Sequence, residues 1–294
     1  MVAPTKARLL KILLADDGTL NMRPAVQLLA DLPHERDSVI TSLRVFTPLE
    51  GSEFSRVEAE SEKTNNLLKS RHFHYQSILV QGYPAETILK YARENSPDLI
   101  VMGGKAAGTL GGLLGNVAVN VLHSGNWPVL IVRGPYEGLK HVLLVTDGSH
   151  AGQHTSEFFA GFPLPAETSV EIMHVVMPVK NTFAAEPGGV AVPTFSPEEE
   201  ARINRENMLL GQDLLEKTLA ELGWPGNSKL ILKMGDPLSL ILEHIRSEKI
   251  DMLVCGCRGS GNLTGWLLGS ISRELVRQAA CSVLVVRSPA EKDQ

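Results

Sequence analysis

Several features are scarce in this sequence, and each scarcity excludes a class of function. Only three cysteines occur in 294 residues, two of them as Cys255-x-Cys257, which is too few for a disulfide framework or a four-ligand cysteine zinc site. No apolar run approaches the roughly 18 residues that a membrane-spanning helix needs. Basic residues do not exceed acidic ones, and the net charge of −5 gives no general attraction to nucleic acid or membrane surfaces.

Targeting and catalytic signatures are also missing. The first apolar run ends at Asp16 and Asp17, too early for a secretory signal, so we expect a cytoplasmic protein. His72-x-His74 has no third ligand nearby, which argues against a metal site. No Gly-x-Ser-x-Gly elbow is present, and we expect no catalytic residues of the serine hydrolase kind. With 43% apolar and 21% charged residues, the composition is that of a globular protein with room for two domains.

The chain contains an internal repeat. An apolar strand ending in Asp17-Gly-Thr recurs 130 residues later as a strand ending in Asp147-Gly-Ser, and Val45 recurs as Val175 at the same offset. Further on, Gly82 corresponds to Gly235, at an offset of 153. The second copy has therefore gained residues, and we place them in 178–197, a stretch rich in Pro, Gly, Ala and Val that reads as an inserted loop.

Strands and helices alternate within each copy. Continuous Val, Ile and Leu runs alternate with amphipathic stretches such as 84–95 and 237–249, each of which begins with a proline suited to a first helical turn. This order predicts parallel sheets covered by helices on both faces. We therefore expect an α/β protein of two tandem doubly wound domains, residues 1–136 and 137–294.

A glycine-rich stretch follows a strand in the second copy. It runs from Gly256 through Gly259 to Gly269-Ser270 and leads into a helical pattern. Strand, glycine loop and helix together present backbone N–H groups at a helix N-terminus, which favours an anion such as phosphate. The alternative is that the glycines only turn the chain.

The spacing of these glycines decides between motifs. No Gly-Lys-Ser/Thr closes the loop, and the glycines are too far apart for the dinucleotide pattern Gly-x-Gly-x-x-Gly. The spacing Gly256-x2-Gly259-x9-Gly269-Ser270 resembles the ATP-binding loop of the universal stress protein family, Gly-x2-Gly-x9-Gly followed by Ser or Thr. The resemblance covers nearly the whole chain in two copies. It implies a tandem universal stress protein whose two sheets each have five strands in the order 3-2-1-4-5.

The resemblance also implies the contacts of an ATP molecule, with or without magnesium. Asp147 would contact the adenine or ribose and touch magnesium indirectly, and Val175 would lie near the base. The phosphate and ribose contacts implied by the motif are Gly256, Arg258, Gly259, Gly269, Ser270 and Ile271. Ser149 and Ser272 are further hydroxyl candidates. Each polar side chain has a structural alternative, since Asp147 and the two serines are also suited to cap helices and Arg258 to close a turn in solvent.

The first copy departs from the motif. Its loop has Ala106 in place of the second glycine, is one residue shorter, and ends in Asn116. The corresponding residues of a weaker second site are Asp17, Thr19, Val45, Gly103, Gly115 and Asn116. Because a Cβ and a deletion should misplace at least one amide, we expect weak or absent nucleotide binding here, unless Gly108, Gly111 or Gly112 restores the cradle.

These expectations lead to two functional hypotheses. The first is an ATP-binding stress-response protein with little or slow hydrolysis, since nothing in the motif supplies a positioned base. The second is an interaction scaffold with an incidental nucleotide site, in which residues 178–197 form the contact surface. The resemblance further implies that the domains pair through strands 128–133 and 282–287, which would protect two open sheet edges. It leaves a homodimer of whole chains open.

Overall fold

The structure is a computed structural model of the whole chain. It describes residues 11–19, 22–33, 38–47, 54–104, 115–179, 196–223, 228–257 and 268–287, and the backbone of 183–185 and 191–193. In the first half the elements are β1 (Lys11–Asp16), α1 (Met22–Asp31), β2 (Val39–Phe46), α2 (Phe54–Ser70), β3 (His74–Gln81), α3 (Pro84–Asn95), β4 (Leu99–Gly104), α4 (Asn116–Ser124) and β5 (Val129–Arg133).

The second half repeats this order with one addition. Its elements are β6 (His141–Val145), α5 (His150–Ala160), β7 (Ser169–Val176), β8 (Phe183–Ala185), β9 (Ala191–Pro193), α6 (Pro197–Leu222), β10 (Ser228–Met234), α7 (Pro237–Ser247), β11 (Met252–Gly256), α8 (Ser270–Gln278) and β12 (Ser282–Val286). The predicted helices beginning at Pro84 and Pro237 are both present, with the proline in the first turn.

Ten of these strands form one continuous sheet. Its order is β10-β7-β6-β11-β12-β5-β4-β1-β2-β3, so each half contributes five parallel strands that read 3-2-1-4-5 in its own numbering. The expected α/β class with tandem, mostly parallel units is confirmed.

The central strands are buried apolar runs that alternate between two faces. Leu13 and Leu253 face the core beneath α3, α4, α7 and α8, whereas Leu14 and Val254 face the core beneath α1, α2, α5 and α6. Successive side chains of a strand point to opposite faces, and helices cover both, which is why these runs read as continuous hydrophobic stretches.

The two halves meet at β5 and β12. These strands pair antiparallel, with Leu130 opposite Leu284 at the centre of the register. Two buried arginines follow this seam: Arg133 donates to carbonyl oxygens at the end of α8, and Arg287 donates to the carbonyl oxygen of Leu122 in α4. Each half therefore sends one cation to a helix C-terminus of the other, where the helix dipole favours positive charge.

The inserted stretch 178–197 was predicted as a loop, and this prediction was incomplete. Within it, β8 and β9 pair antiparallel as a short separate sheet. The following helix starts with a capping box, in which Ser196 accepts from the amide of Glu199 and the Glu199 side chain accepts from the amide of Ser196. This helix, α6, has 26 residues, whereas α2 has 17.

Across the described part of the chain, the structure contains no helix that combines the length and the apolar character needed to cross a membrane.

Candidate functional site

A cavity of about 740 Å³ lies at the carboxyl ends of the strands in the second half. Its centre lies beyond the ends of β6 and β11, two strands that pair with each other. From this pair the sheet continues to β7 on one side and to β12 on the other. This is the position where the strand order reverses, the usual ligand site of an open parallel sheet. The lining comes from the ends of β6, β7 and β11, the first turns of α7 and α8, and the middle of α6.

One end of the cavity is the N-terminus of α8. Gly269 caps this helix without a side-chain hydrogen bond, and the helical ladder starts when the amide of Arg273 donates to Gly269 at 2.9 Å. The first N–H groups of an α-helix have no acceptor within the helix. In α8 these include the amides of Ser270, Ile271 and Ser272. Together with the helix dipole they favour an anion.

The turn before α8 is held by two short hydrogen bonds. The amide of Gly269 donates to the carbonyl of Cys257 at 2.7 Å, and the hydroxyl of Ser272 donates to the carbonyl of Gly256 at 2.7 Å. The Ser272 hydroxyl therefore fixes the helix start against the end of β11. These two contacts connect the end of β11 to the start of α8, the described residues on either side of 258–267.

Asp147 lines the cavity and lies two residues after the end of β6. Its Oδ1 accepts from the amide of Ser149 at 3.1 Å and from the Ser149 hydroxyl at 2.6 Å. That hydroxyl in turn accepts from the amide of Gly152 at 3.2 Å and caps α5. Asp147 lines the cavity, whereas Ser149 does not, so the capping interpretation of Ser149 is the one that the geometry favours.

The other end of the cavity lies between β7 and α6. Val175 packs toward the α7 core, while its neighbours His174 and Val176 face α6 at Gly211. His174 Nδ1 lies 2.8 Å from the carbonyl oxygen of Thr146. This end therefore differs from the helix terminus at α8, since side chains rather than backbone amides form it.

The cavity floor includes Cys255. Burial, aided by the neighbouring Cys257 and Cys281, raises the pKa of this thiol to about 12. A thiol that stays protonated is a poor nucleophile, so Cys255 acts as a packed core residue. Within the described residues, no group of three or more His, Cys, Asp or Glu side chains is arranged to hold a metal ion.

A model described as the universal stress protein family matches this chain twice, over residues 9–133 and again over 138–287. The chain belongs to the universal stress protein family. The predicted tandem arrangement is confirmed by the two matches and by the relatives that follow.

Individual universal stress proteins show how far the likeness extends. One from Mycolicibacterium smegmatis is 29% identical over 204 residues, covering 65% of this chain and 62% of the relative, so the chain spans less than two thirds of that protein. YxiE of Bacillus subtilis is 27% identical over 147 residues, covering 50% of this chain and 97% of the relative. The crystal structure of a universal stress protein from Archaeoglobus fulgidus matches with a TM-score of 0.61 at 18% identity, covering 96% of this chain and 97% of that one, which supports the fold alone.

Most of the candidate residues of the second universal stress protein unit come together in space. The cavity is lined by Asp147, Val175, Gly256, Gly269, Ser270 and Ile271. Arg258 and Gly259 lie outside the described residues. The lining also includes residues that the sequence analysis did not single out, chiefly Thr146, His174 and the α6 residues Asn207, Leu210, Gly211 and Leu214.

The candidate residues of the first unit occupy corresponding positions. Asp17 Oδ1 accepts from the amide and the hydroxyl of Thr19, repeating the turn at Asp147. Gly115 precedes α4 as a cap without a side-chain hydrogen bond, and Asn116 is the first residue of that helix. Gly103 lies in β4, and Val45 is buried near the end of β2. The residues said to weaken or restore the cradle, Ala106, Gly108, Gly111 and Gly112, lie outside the described residues.

Charged side chains lie between β2 and α2 in the first unit. Arg44, at the position of His174, forms an ion pair of 3.0 Å with Glu60, and its guanidinium lies against Gly18. Asp16, at the position of Thr146, accepts from the hydroxyl of Thr64 at 3.0 Å. These charged side chains occupy the strand ends where the second unit has a cavity.

The two long helices can be aligned through their buried residues. The buried positions of α2 are Val57, Ser61, Thr64 and Leu68, and those of α6 are Gly211, Leu215, Thr218 and Leu222, a constant offset of 154. Glu60 thus corresponds to Leu214, and Val57 to Gly211. Phe54 of α2 also packs edge-to-face on Phe46 of β2, with ring centroids 5.7 Å apart. The second unit replaces three charged residues of the first, Asp16, Arg44 and Glu60, by Thr146, His174 and Leu214.

Asp16 should make the stability of the first unit depend on pH. Burial raises the pKa of Asp16, although hydrogen bonds from Gly18 and Thr64 and the charge of Arg44 oppose this rise. A folded-state pKa above the unfolded one means that the folded state binds the proton more tightly, so stability falls as the pH rises from about 3.8 through the raised value. Asp16→Asn keeps an acceptor without the charge, and we expect it to unfold at higher urea concentration than wild type at pH 7.

Urea titrations between pH 3.5 and 7 measure this effect. The advantage of Asp16→Asn should shrink at the acidic end, where wild type carries the proton. Asp213→Asn, which alters an exposed carboxylate of α6, should track wild type throughout. An Asp16→Asn advantage that is the same at every pH would contradict the assignment.

Proposed function

We propose that this universal stress protein binds ATP, or a related adenine nucleotide, in the cavity of its second domain, residues 137–294, as part of a stress response. The observation that carries the proposal is the N-terminus of α8, which opens into a 740 Å³ cavity at the point where the strand order reverses. A cavity of this size is within the usual range for small-molecule sites. The first domain, residues 1–136, is proposed to bind nucleotide weakly or not at all.

The phosphates are assigned to the end of the cavity at α8. Gly256 and Gly269 leave room for close approach of an anion, and the amides of Ser270 and Ile271 belong to the free first turn of the helix. Arg258 and Gly259 are kept as phosphate contacts on the strength of the sequence motif. Asp147 is assigned to the ribose, or to an indirect contact with magnesium.

Little or slow hydrolysis is expected from this site. The described residues that line the cavity include one carboxylate, Asp147, and one imidazole, His174, and neither a lysine nor an arginine. Rapid phosphoryl transfer needs a positioned base together with cationic groups or bridging metal ions around the transferred phosphate. Nucleotide occupancy is therefore proposed to bias a conformation or a partner contact rather than to drive turnover.

Mass spectrometry of the nucleotide released from purified, heat-denatured protein tests the proposal. We expect ATP to be recovered, and we expect added ATP to stabilise the nucleotide-free protein. At a ligand concentration 100 times the Kd, the stabilisation is about 2.7 kcal/mol. Protein that releases no nucleotide and whose melting temperature is unchanged by millimolar ATP would refute the proposal.

The alternative function is an interaction scaffold, and one surface favours it. Leu209, Leu210 and Met177 are 68%, 66% and 64% exposed, respectively. Met177 directly precedes residues 178–197 and the two leucines lie in α6, which follows them; Met177 and Leu210 also line the cavity, so this surface adjoins the nucleotide site. Exposed apolar side chains near an inserted segment suit a protein contact. Absence of nucleotide would shift the assignment to this surface.

Location and assembly complete the proposal. We place the protein in the cytoplasm, since Cys255, Cys257 and Cys281 are all free thiols, as is usual in a reducing compartment. A homodimer of whole chains stays a prediction, which sedimentation of the purified protein would address.

A further inference from the structure

The helix whose N-terminus opens into the cavity is held at its other end by the first unit. The guanidinium of Arg133 donates hydrogen bonds to the carbonyl oxygen of Val276, at 2.5 Å, and to that of Ala279, both at the end of α8. Arg133 is the last residue of β5 and belongs to the first unit. The two ends of α8 therefore face different partners, the cavity of the second unit and a side chain of the first.

The position of Arg133 is fixed by the seam between the units. Arg133 is buried, and its backbone amide donates to the hydroxyl of Ser282 in β12 at 3.2 Å. A buried guanidinium has few alternative positions, because away from water it must keep the hydrogen bonds that the protein provides. Arg133 thus fixes the last turn of α8 relative to β5 and β12.

The order of α8 depends on such contacts because the helix is short. It has nine residues, whereas isolated helices of fewer than about 12 residues are marginal in water. Three sets of contacts hold it: Leu275 and Val276 pack in the core, the hydroxyl of Ser272 donates to Gly256 at 2.7 Å, and Arg133 binds the last turn. Of the three, only the contact with Arg133 comes from the first unit.

The ability of α8 to bind an anion depends on this order. Its first amides point in one direction only while the first turn is helical, so a ligand that had to order a frayed helix would bind with lower apparent affinity. A helix of nine residues is about 13 Å long, so Arg133 does not itself contact a ligand at the N-terminus. Any effect of Arg133 on such a ligand is transmitted through the helix.

We propose that Arg133 of the first unit is a positioning residue for the phosphate end of the nucleotide site in the second unit. By fixing the last turn of α8, it keeps the first turn ordered for the phosphates. The ATP affinity of the second unit then depends on the first unit, whether or not the first unit binds nucleotide. This inference rests on the proposed nucleotide binding at α8 and extends it by naming a residue outside the cavity that sets the affinity.

The seam supplies a matched control for Arg133. Its counterpart in the repeat, Arg287, is also buried and donates to the carbonyl oxygen of Leu122 near the end of α4. Arg287 crosses the seam in the opposite direction and supports the helix of the first unit. The two arginines have similar structural roles, but only Arg133 is connected to the proposed phosphate site.

Calorimetric titration of the nucleotide-free full chain with ATP tests the inference. Arg133→Met should lower ATP affinity about fivefold to tenfold, as for a site that is ordered only about 10–20% of the time. Arg133→Lys keeps the charge but has one nitrogen in place of the two that donate, and should lower ATP affinity about twofold to threefold. Arg287→Met should leave ATP affinity within about 1.5-fold of wild type, because α8 stays ordered.

Hydrogen exchange of the nucleotide-free protein follows the helix itself. A peptide covering residues 270–278 should exchange faster in Arg133→Met than in wild type, and at the wild-type rate in Arg287→Met. Thermal unfolding verifies that each variant is folded at the temperature of the titrations.

The outcomes separate this inference from the proposal on which it rests. If wild type binds ATP and folded Arg133→Met binds it equally tightly, or if Arg287→Met loses as much ATP affinity as Arg133→Met, the inference is overturned alone. If Arg133→Met does not fold, Arg133→Lys decides, and wild-type ATP affinity in that variant overturns the inference. If wild type binds no ATP, the proposed function fails, and the inference with it.

Discussion

Replacing Ser270 with glutamate should reduce ATP affinity by about 100-fold or more. Ser270 is the first residue of α8, so the new carboxylate would stand where the amides and dipole of the helix favour a phosphate. Two like charges about 4 Å apart repel by about 4 kcal/mol at an effective dielectric constant of 20, which exceeds the two decades expected here. A glutamate in a first helical turn is otherwise well tolerated, so the fold should be preserved.

The first unit provides a matched control for this substitution. Asn116 begins α4 as Ser270 begins α8, and both helices are preceded by a glycine cap without a side-chain hydrogen bond. Asn116→Glu should leave ATP affinity and stoichiometry unchanged if the second unit holds the nucleotide. Equal losses of ATP affinity from the two substitutions would show that both units bind ATP. If Ser270→Glu caused no loss of ATP affinity, the assignment of the phosphates to the N-terminus of α8 would be wrong.

The repeated elements were predictable because their signals are local. The two strands of the repeat and the helices that begin with Pro84 and Pro237 depend on a few consecutive residues, and the structure contains each of them. The triplets Asp17-Gly-Thr and Asp147-Gly-Ser follow the strand ends at Asp16 and Val145 rather than forming them. The acidic first turn of α6, which follows Ser196, is a local signal of the same kind. Capping residues and hydrophobic periodicity are properties of a short stretch of sequence, so they predict helices and strands without knowledge of distant contacts.

The α6 side of the cavity was missed because its signal is not local. The insertion at 178–197 shifts the repeat from an offset of 130 to one of 154, and the register of α6 against α2 is visible only from which positions are buried. Thr146 and His174 were readable, since they replace Asp16 and Arg44 at the unchanged offset of 130. The exchange of an aspartate and an arginine for a threonine and a histidine, beside a predicted ligand site, was the available sign.

The seam between the halves leads to a second prediction with a large effect. Arg133 is buried, donates to the carbonyl of Val276 at 2.5 Å, and donates also to the carbonyl of Ala279. Both carbonyls lie at the end of α8, where the last carbonyl groups of an α-helix have no N–H donor within the helix. Burial lowers the pKa of Arg133, yet an arginine remains cationic and its charge suits the negative end of the helix.

Arg133→Met should therefore lower the free energy of unfolding by about 2–4 kcal/mol. Methionine fills the volume of the aliphatic stem, but it leaves two buried carbonyls without their donor, at about 1–3 kcal/mol each, and part of this cost is offset because the guanidinium no longer has to be desolvated. Urea unfolding of the full chain measures the change, with Arg93→Met on the exposed surface of α3 as the control, expected within about 0.5 kcal/mol of wild type. Because the carbonyls and the arginine come from different halves, the loss should also reduce the cooperativity of unfolding. If Arg133→Met unfolds at the urea concentration of Arg93→Met, the β5–β12 strand pairing alone joins the two halves, and the arginine contributes no stability to the seam.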